Sequence, residues 1–185
     1  CADVPRKRKQ VLSVEIQRAV DRTPQPWKNG LGVQYEITCD GSLPDDWSWR
    51  LSTADITQDV PFSIFPGVNR EFCVADGNGV VLTINGVEHR CEPGSITKFR
   101  GDDEVYARLI DGPMRALNLM VRDGAAPIHL RRKVMEGSLA IVAIGEMQVF
   151  ELDGKQFCLE VLDAVVINNQ RLPVNSVCDQ LIFVA

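Results

Sequence analysis

The stretch GNGVVLTINGVEHRCEPGSITKF, residues 77–99, returns without gaps as GEMQVFELDGKQFCLEVLDAVVI, residues 145–167. Gly77 falls on Gly145, Asn85-Gly86 on Asp153-Gly154 and Glu92 on Glu160, each 68 residues on (77 to 145, 86 to 154, 92 to 160). The apolar positions follow: Val81 matches Val149, Ile84 matches Leu152, Ile96 matches Ala164 and Phe99 matches Ile167. Each copy reads as glycine, strand, Asx-Gly hairpin, strand, a turn at Pro93-Gly94-Ser95 or Leu162-Asp163, then strand. Asx-Gly pairs tolerate the positive φ that a two-residue hairpin demands, so the turns place themselves. One β-unit is used twice. Antiparallel strands with repeated hairpins are best accommodated by closure into a barrel or sandwich, which hides their edges.

The rest of the chain agrees with an all-β reading. Val33-Gln34-Tyr35-Glu36-Ile37 and Leu139 to Ile144 are short, rich in β-branched residues, and bounded by Gly, Asn, Asp or Pro. Ser13 to Ala19 and Arg131 to Glu136 are open between helix and other states and are taken as strand or coil. At 185 residues with 45% hydrophobic and 24% charged content, the chain can bury a substantial core. No run approaches the ~18 apolar residues that span a bilayer, so no membrane partner is expected. The net charge of −5 leaves the basic cluster Arg6-Lys7-Arg8-Lys9 as a solvated segment and argues against a nucleic-acid partner. The cysteines at 1, 39, 73, 91, 158 and 178 form no C-x-x-C pair, and several sit in apolar runs such as Phe157-Cys158-Leu159. Buried free thiols are expected, which together with the lack of a signal-peptide pattern suggests a cytoplasmic protein.

Polar residues without an obvious structural duty fall in three runs. In Pro26-Trp27-Lys28-Asn29-Gly30-Leu31-Gly32, glycines permit an irregular backbone while Trp27, Lys28 and Asn29 supply a stacking plate, a cation and an amide; the plainer reading is a loop entering a strand. In Trp47-Ser48-Trp49-Arg50-Leu51-Ser52, strand alternation puts Trp47, Trp49 and Leu51 on one face and Ser48, Arg50 and Ser52 on the other. Arg50 with Ser52 would bind a carboxylate if that second face lined a cavity, and would be an ordinary surface pair if it faced solvent. In Arg115 to Val121, Leu117, Leu119 and Val121 share a face, leaving Asn118 between Ala116 and Met120 as a pocket wall or a core amide bonded to backbone.

Several chemistries lack their residues. His89 and His129 are the only histidines and form neither H-x-H nor H-E-x-x-H, which disfavours a histidine-ligated metal. There is no G-x-S-x-G, P-loop or dinucleotide fingerprint. Asp102-Asp103-Glu104 reads as a solvated turn. No catalytic residue, metal ligand or cofactor is assigned.

Taken together, Pro26 to Gly32, Trp49 to Ala54, Val60 to Arg70 and Asp111 to Met120 occur in the order of four motifs of the HutD/Ves family, which the chain resembles over about half its length. The resemblance implies a bicupin: two cupin-like antiparallel β-barrels, the second smaller, with a small-molecule pocket and no cupin metal. The expected units are 11–124, carrying the pocket, and 125–185, with a mainly packing role that allows a homodimer. The resemblance associates the chain with bacterial histidine degradation, and with sensing or sequestering a carboxylated metabolite such as urocanate or N-formylglutamate. Lys28, Arg50 and Arg70 would hold carboxylate, Asn29, Ser52 and Asn118 would hydrogen-bond, and Trp27 or Phe62 would stack. The chain departs from the family at Leu31 and Val60, where glycine is usual, and at Tyr35, where the loss of an arginine is expected to weaken binding of a second anionic group. The alternative is a metal-independent isomerase or hydrolase on a small carboxylated or sugar-like substrate, with Lys28 as acid or base if burial lowered its pKa.

Overall fold

The computed structural model describes residues 13–42, 46–133, 138–152, 154–168, 174–175 and 180–185. The basic cluster Arg6 to Lys9, Cys1, Cys178, Asp153 and residues 134–136 of the undecided segment lie outside the described residues. In chain order the strands are β1 (Ser13–Gln17), β2 (Pro24–Pro26), β3 (Val33–Cys39), β4 (Trp49–Ile56), β5 (Val60–Pro61), β6 (Val68–Asp76), β7 (Val80–Ile84), β8 (Val87–Cys91) and β9 (Ile96–Arg100). They continue with β10 (Val105–Leu109), β11 (Met114–Arg122), β12 (Leu130–Arg131), β13 (Ala140–Ala143), β14 (Gln148–Leu152), β15 (Lys155–Leu159), β16 (Ala164–Asn168), β17 (Val174–Asn175) and β18 (Leu181–Val184). A short 3₁₀ turn at Ala19–Asp21 follows β1. No helix among the described residues is long and apolar enough to cross a membrane.

The repeat is structural. The strands β7, β8 and β9 begin at 80, 87 and 96, and β14, β15 and β16 begin at 148, 155 and 164, each 68 residues later. Asn85 and Gly86 both take positive φ (48° and 83°), as a type I′ hairpin requires, and Gly154 does the same at 74°. The following turn is repeated too, closed by Ser95 N–H donating to Glu92 O and by Asp163 N–H donating to Glu160 O, both at 3.0 Å.

Alternation along these strands builds four stacked layers. A four-stranded sheet (β5-β10-β7-β8) covers one face of a six-stranded sheet (β2-β3-β4-β11-β6-β9), whose other face meets a five-stranded sheet (β1-β16-β13-β18-β12) backed by three strands (β15-β14-β17). Three apolar cores fill the gaps. Phe72, Val74 and Ala116 meet Val80, Leu82 and Ala107 in the first; Leu51, Leu117 and Leu119 meet Val142, Ala164 and Ile182 in the second; Ile141 and Phe183 meet Phe150 and Leu159 in the third. Strand β1 pairs antiparallel with β16 through Ser13↔Asn168 to Gln17↔Ala164, so residues 13–17 belong to the sheet of the second half rather than to the strands that follow them. Its far end is fastened by Asp163, whose carboxylate accepts from Arg18 Nη1 and from the Ala19 N–H, each at 2.7 Å.

The thiols follow the same parity. Cys73 and Cys91 are buried, but Cys39 is half-buried and Cys158 is exposed, because Phe157 and Leu159 take the inward positions of β15. The expectation of uniformly buried thiols is corrected there.

Candidate functional site

The floor of a cavity of about 750 Å³ is made by neighbouring strands of the six-stranded sheet, on the face turned toward the four-stranded sheet. Register sets the floor in rungs: Arg50, Met120 and Arg70 lie abreast on β4, β11 and β6, and Ser52, Asn118 and Phe72 form the next rung. The intervening residues Leu51, Leu117 and Leu119 point the other way into the core between the two halves. Each strand is thus apolar behind and polar in front, which is why buried charges sit in a β-sheet at all. Exposure is 8% for Arg50, 7% for Arg70, 2% for Ser52 and 6% for Asn118.

Arg70 is the most constrained of these. Its guanidinium lies 4.9 Å from the Phe99 ring centroid, 5.3 Å from Phe62 and 5.7 Å from Phe65, so three rings hold it in place. Nη2 donates to Asn118 Oδ1 at 3.2 Å and Nη1 to Ser63 O at 3.3 Å, while Nε is buried without an acceptor. No carboxylate forms an ion pair with it among the described residues. Burial, and then the neighbouring Arg50, push its pKa down to about 9, so its charge is held at a cost that a bound anion would offset. Arg50 lies 5.0 Å from the Trp47 ring and donates to Met120 Sδ at 3.4 Å. Arg122 also lines the cavity, 4.5 Å from the same indole.

The mouth is built by two loops. Residues 27–32 close a hairpin between β2 and β3, with the Trp27 N–H donating to Gly32 O and the Gly30 N–H to Trp27 O, both at 2.9 Å. Gly32 is required because a Cβ there would fall 2.7 Å from the Trp27 indole. That indole meets Phe62 edge-on at 5.9 Å. Facing it, the strap 62–67 is pinned by Phe62 N–H to Val105 O and Phe65 N–H to Gly101 O, both 2.8 Å. Phe65 presents its ring to Lys28, Arg50 and Arg70 at 5.7, 6.0 and 5.7 Å.

Seven of the eight residues singled out from sequence, Trp27, Lys28, Arg50, Ser52, Phe62, Arg70 and Asn118, therefore line one cavity. The exception is Asn29. It is spent on structure: its amide donates to Pro61 O at 3.0 Å, its N–H to Ser63 Oγ at 3.2 Å, and its Oδ1 accepts from Leu31 N–H at 3.1 Å, tying the hairpin to the strap. Trp47 is also misplaced by simple alternation. Strand β4 starts at Trp49, and Asp40 takes the N–H groups of Ser48 and Trp49, so Trp47 turns into the cavity rather than into the core beneath. Tyr35 is not among the cavity-lining residues and donates to Asp55 Oδ2 at 3.1 Å. Glu36, Gln34, Phe65 and Arg122 line the cavity without having been singled out; alternation from Gln34 to Glu36 was the signal for two of them. Among the described residues, no three His, Cys, Asp or Glu side chains converge to hold a metal ion.

Comparison with known proteins agrees with this geometry. A structure of HutD from Pseudomonas fluorescens SBW25 superposes with a TM-score of 0.74 at 32% identity, covering 93% of this chain and 97% of that one. A 21.2 kDa protein from the hutC 3′ region of Pseudomonas putida is 38% identical over 109 residues, 58% of this chain and 57% of its own, so the match spans little more than half of that relative. A cupin 2 conserved barrel domain protein from Leptotrichia buccalis shares only the fold, at 11% identity and a TM-score of 0.57 over 95% of this chain and 97% of that one. The two stacked antiparallel units are thus cupin barrels, the second smaller. The model of the family described as HutD matches residues 19–180, and the chain belongs to the HutD family.

Proposed function

We propose that this protein captures a small carboxylated metabolite in the cavity of its first barrel, without metal and without turning it over. The observation that carries the reading is the rung Arg50–Met120–Arg70: two guanidiniums more than nine-tenths buried on one cavity floor, with Ser52 and Asn118 on the next rung. Two buried like charges disfavour each other, and a carboxylate between or beside them relieves both. Trp27, Phe62 and Phe65 offer apolar walls to the rest of the ligand. A relative from the hutC 3′ region supports a role in histidine degradation, with urocanate and N-formylglutamate as the candidate ligands and sensing or sequestration as the outcome. An isomerase or hydrolase would need a group placed as acid or base. Lys28, the candidate from sequence, is exposed at the mouth.

Titration calorimetry of the wild type with urocanate and with N-formylglutamate is expected to show one-site binding. Arg50→Ala should weaken it by about 10- to 100-fold, the size of a lost charge-assisted hydrogen bond. Unchanged affinity in Arg50→Ala removes the site, and formation of product from either compound removes the non-catalytic reading.

A further inference from the structure

Among the described residues that line the cavity is one acid that an anion site does not need. Glu36 lies on β3 abreast of Ser52, at the opposite side of the floor from Arg70. A bulge between Glu36 and Thr38 sends Ile37 into the core beneath and leaves both Glu36 and Cys39 on the cavity side. Within the described residues its carboxylate accepts only from the Cys39 thiol, at 3.5 Å, and forms no ion pair. Its neighbours on the same wall are the neutral amides Gln25 and Gln34.

We infer that Glu36 is the specificity residue of this cavity, accepting a hydrogen bond from an N–H group on the ligand, so that the ligand class is a carboxylic acid that also carries a nitrogen donor. The inference rests on the carboxylate-binding reading of Arg50 and Arg70. A bare carboxylate opposes anions anywhere in a shared cavity, and its presence is favourable only where the ligand brings a donor to it. Glu36 and Arg70 stand three strands apart, about 14 Å across the floor at about 4.8 Å per strand. Arg50 stands on the strand next to Glu36 and Arg70 two strands further on, so a carboxylate held between the guanidiniums leaves the rest of the ligand beside Glu36, and an acid lacking the nitrogen brings Glu36 no donor beyond the Cys39 thiol.

The test compares urocanate with 3-(2-furyl)acrylate, which has nearly the same shape and carboxylate but a furan ring with a single oxygen and no N–H in place of the imidazole. By calorimetry the wild type should bind urocanate at least about tenfold more tightly, the size of a hydrogen bond to a charged acceptor. Glu36→Ala should bring the two affinities together, and Glu36→Gln, which keeps the volume, serves if the alanine variant melts early. In Arg50→Ala both compounds should weaken alike. Equal affinities in the wild type, or an unchanged preference in both Glu36 variants, overturn the role of Glu36 while leaving the anion site standing. Failure of both compounds and of N-formylglutamate to bind the wild type overturns the two readings together.

Discussion

Arg70 and Glu71 are neighbours in sequence, both buried, and turned to opposite faces of β6, which makes them a controlled comparison of how a charge survives inside a sheet. Arg70 enters the cavity and is held by rings and amides; Glu71 faces the second half and is held by donors. Its Oε1 lies 2.7 Å from Lys98 Nζ and 2.6 Å from His129 Nδ1, and its Oε2 accepts the Leu130 N–H at 2.7 Å. Burial alone would raise its pKa, but Lys98, His129 and the Leu130 N–H outweigh that and hold it below the ordinary glutamate value of 4.5. A depressed folded pKa means stability that is fully present above that ordinary value and is lost as pH falls from there through the lowered one. Glu71→Gln should therefore cost about 1–3 kcal/mol at pH 7, because its one oxygen can accept the Leu130 N–H only by turning the amide NH2 toward Lys98 and His129, and it should flatten the acid limb. Urea midpoints between pH 7 and pH 3 measure both effects. An acid limb as steep in the variant as in the wild type rules out Glu71 as its source.

The elements of this fold were legible where local chemistry decides them. Val80 to Ile84 reads as a strand from its β-branched run, and Asn85-Gly86 reads as its hairpin from the φ it must adopt. A Cβ on Gly86 would meet nothing within 4 Å, so the entire cost of Gly86→Ala is the left-handed backbone, about 1–2 kcal/mol. A thermal or denaturant midpoint checks this, and a neutral substitution would show that the turn is not type I′ in solution. The second copy shows the limit of such reading. Leu162 occupies the place of Gly94 with the same left-handed φ, 69° against 75°, because its side chain is 3% exposed in the core between the halves. Burial of a leucine outweighs a strain of that size. Parity was equally legible in Leu117, Asn118 and Leu119, and so was most of the site. Parity failed at Trp47, which precedes its strand, and it says nothing of the bulge that aims Glu36 and Cys39 together, because a bulge is set by the partner strand β4. Asn29 had the chemistry of a ligand contact and was used by Pro61 and Ser63, partners no local pattern names.

At the scale of the molecule, what the repeat could not convey is that each copy places its hairpin in an outer layer and its third strand in an inner layer of one stack. Leu51, Cys73, Leu117 and Leu119 are each 0% exposed, and all four are covered by the five-stranded sheet of the other half rather than by their own barrel. The back of the cavity floor is therefore the front of the interface between halves. The same strands that present Arg50, Arg70 and Asn118 are held in register by the smaller barrel, whose own interior is filled by Phe150, Phe157 and Phe183. Strand β1, ahead of the first barrel in sequence, adds to the arrangement by pairing with β16. Removing the second half would expose a row of leucines along β4 and β11, at about 25 cal/mol for each Å² of apolar surface returned to water. The two halves should accordingly unfold together. All three tryptophans, Trp27, Trp47 and Trp49, lie in the first half, so their fluorescence reports that half while far-UV circular dichroism reports the strands of both. Coincident urea transitions by the two probes are expected, with Leu119→Ala shifting both by the same amount, about 2–5 kcal/mol. A dichroism transition that precedes the fluorescence change would show instead that the smaller barrel melts first, leaving the cavity floor to hold its register without it.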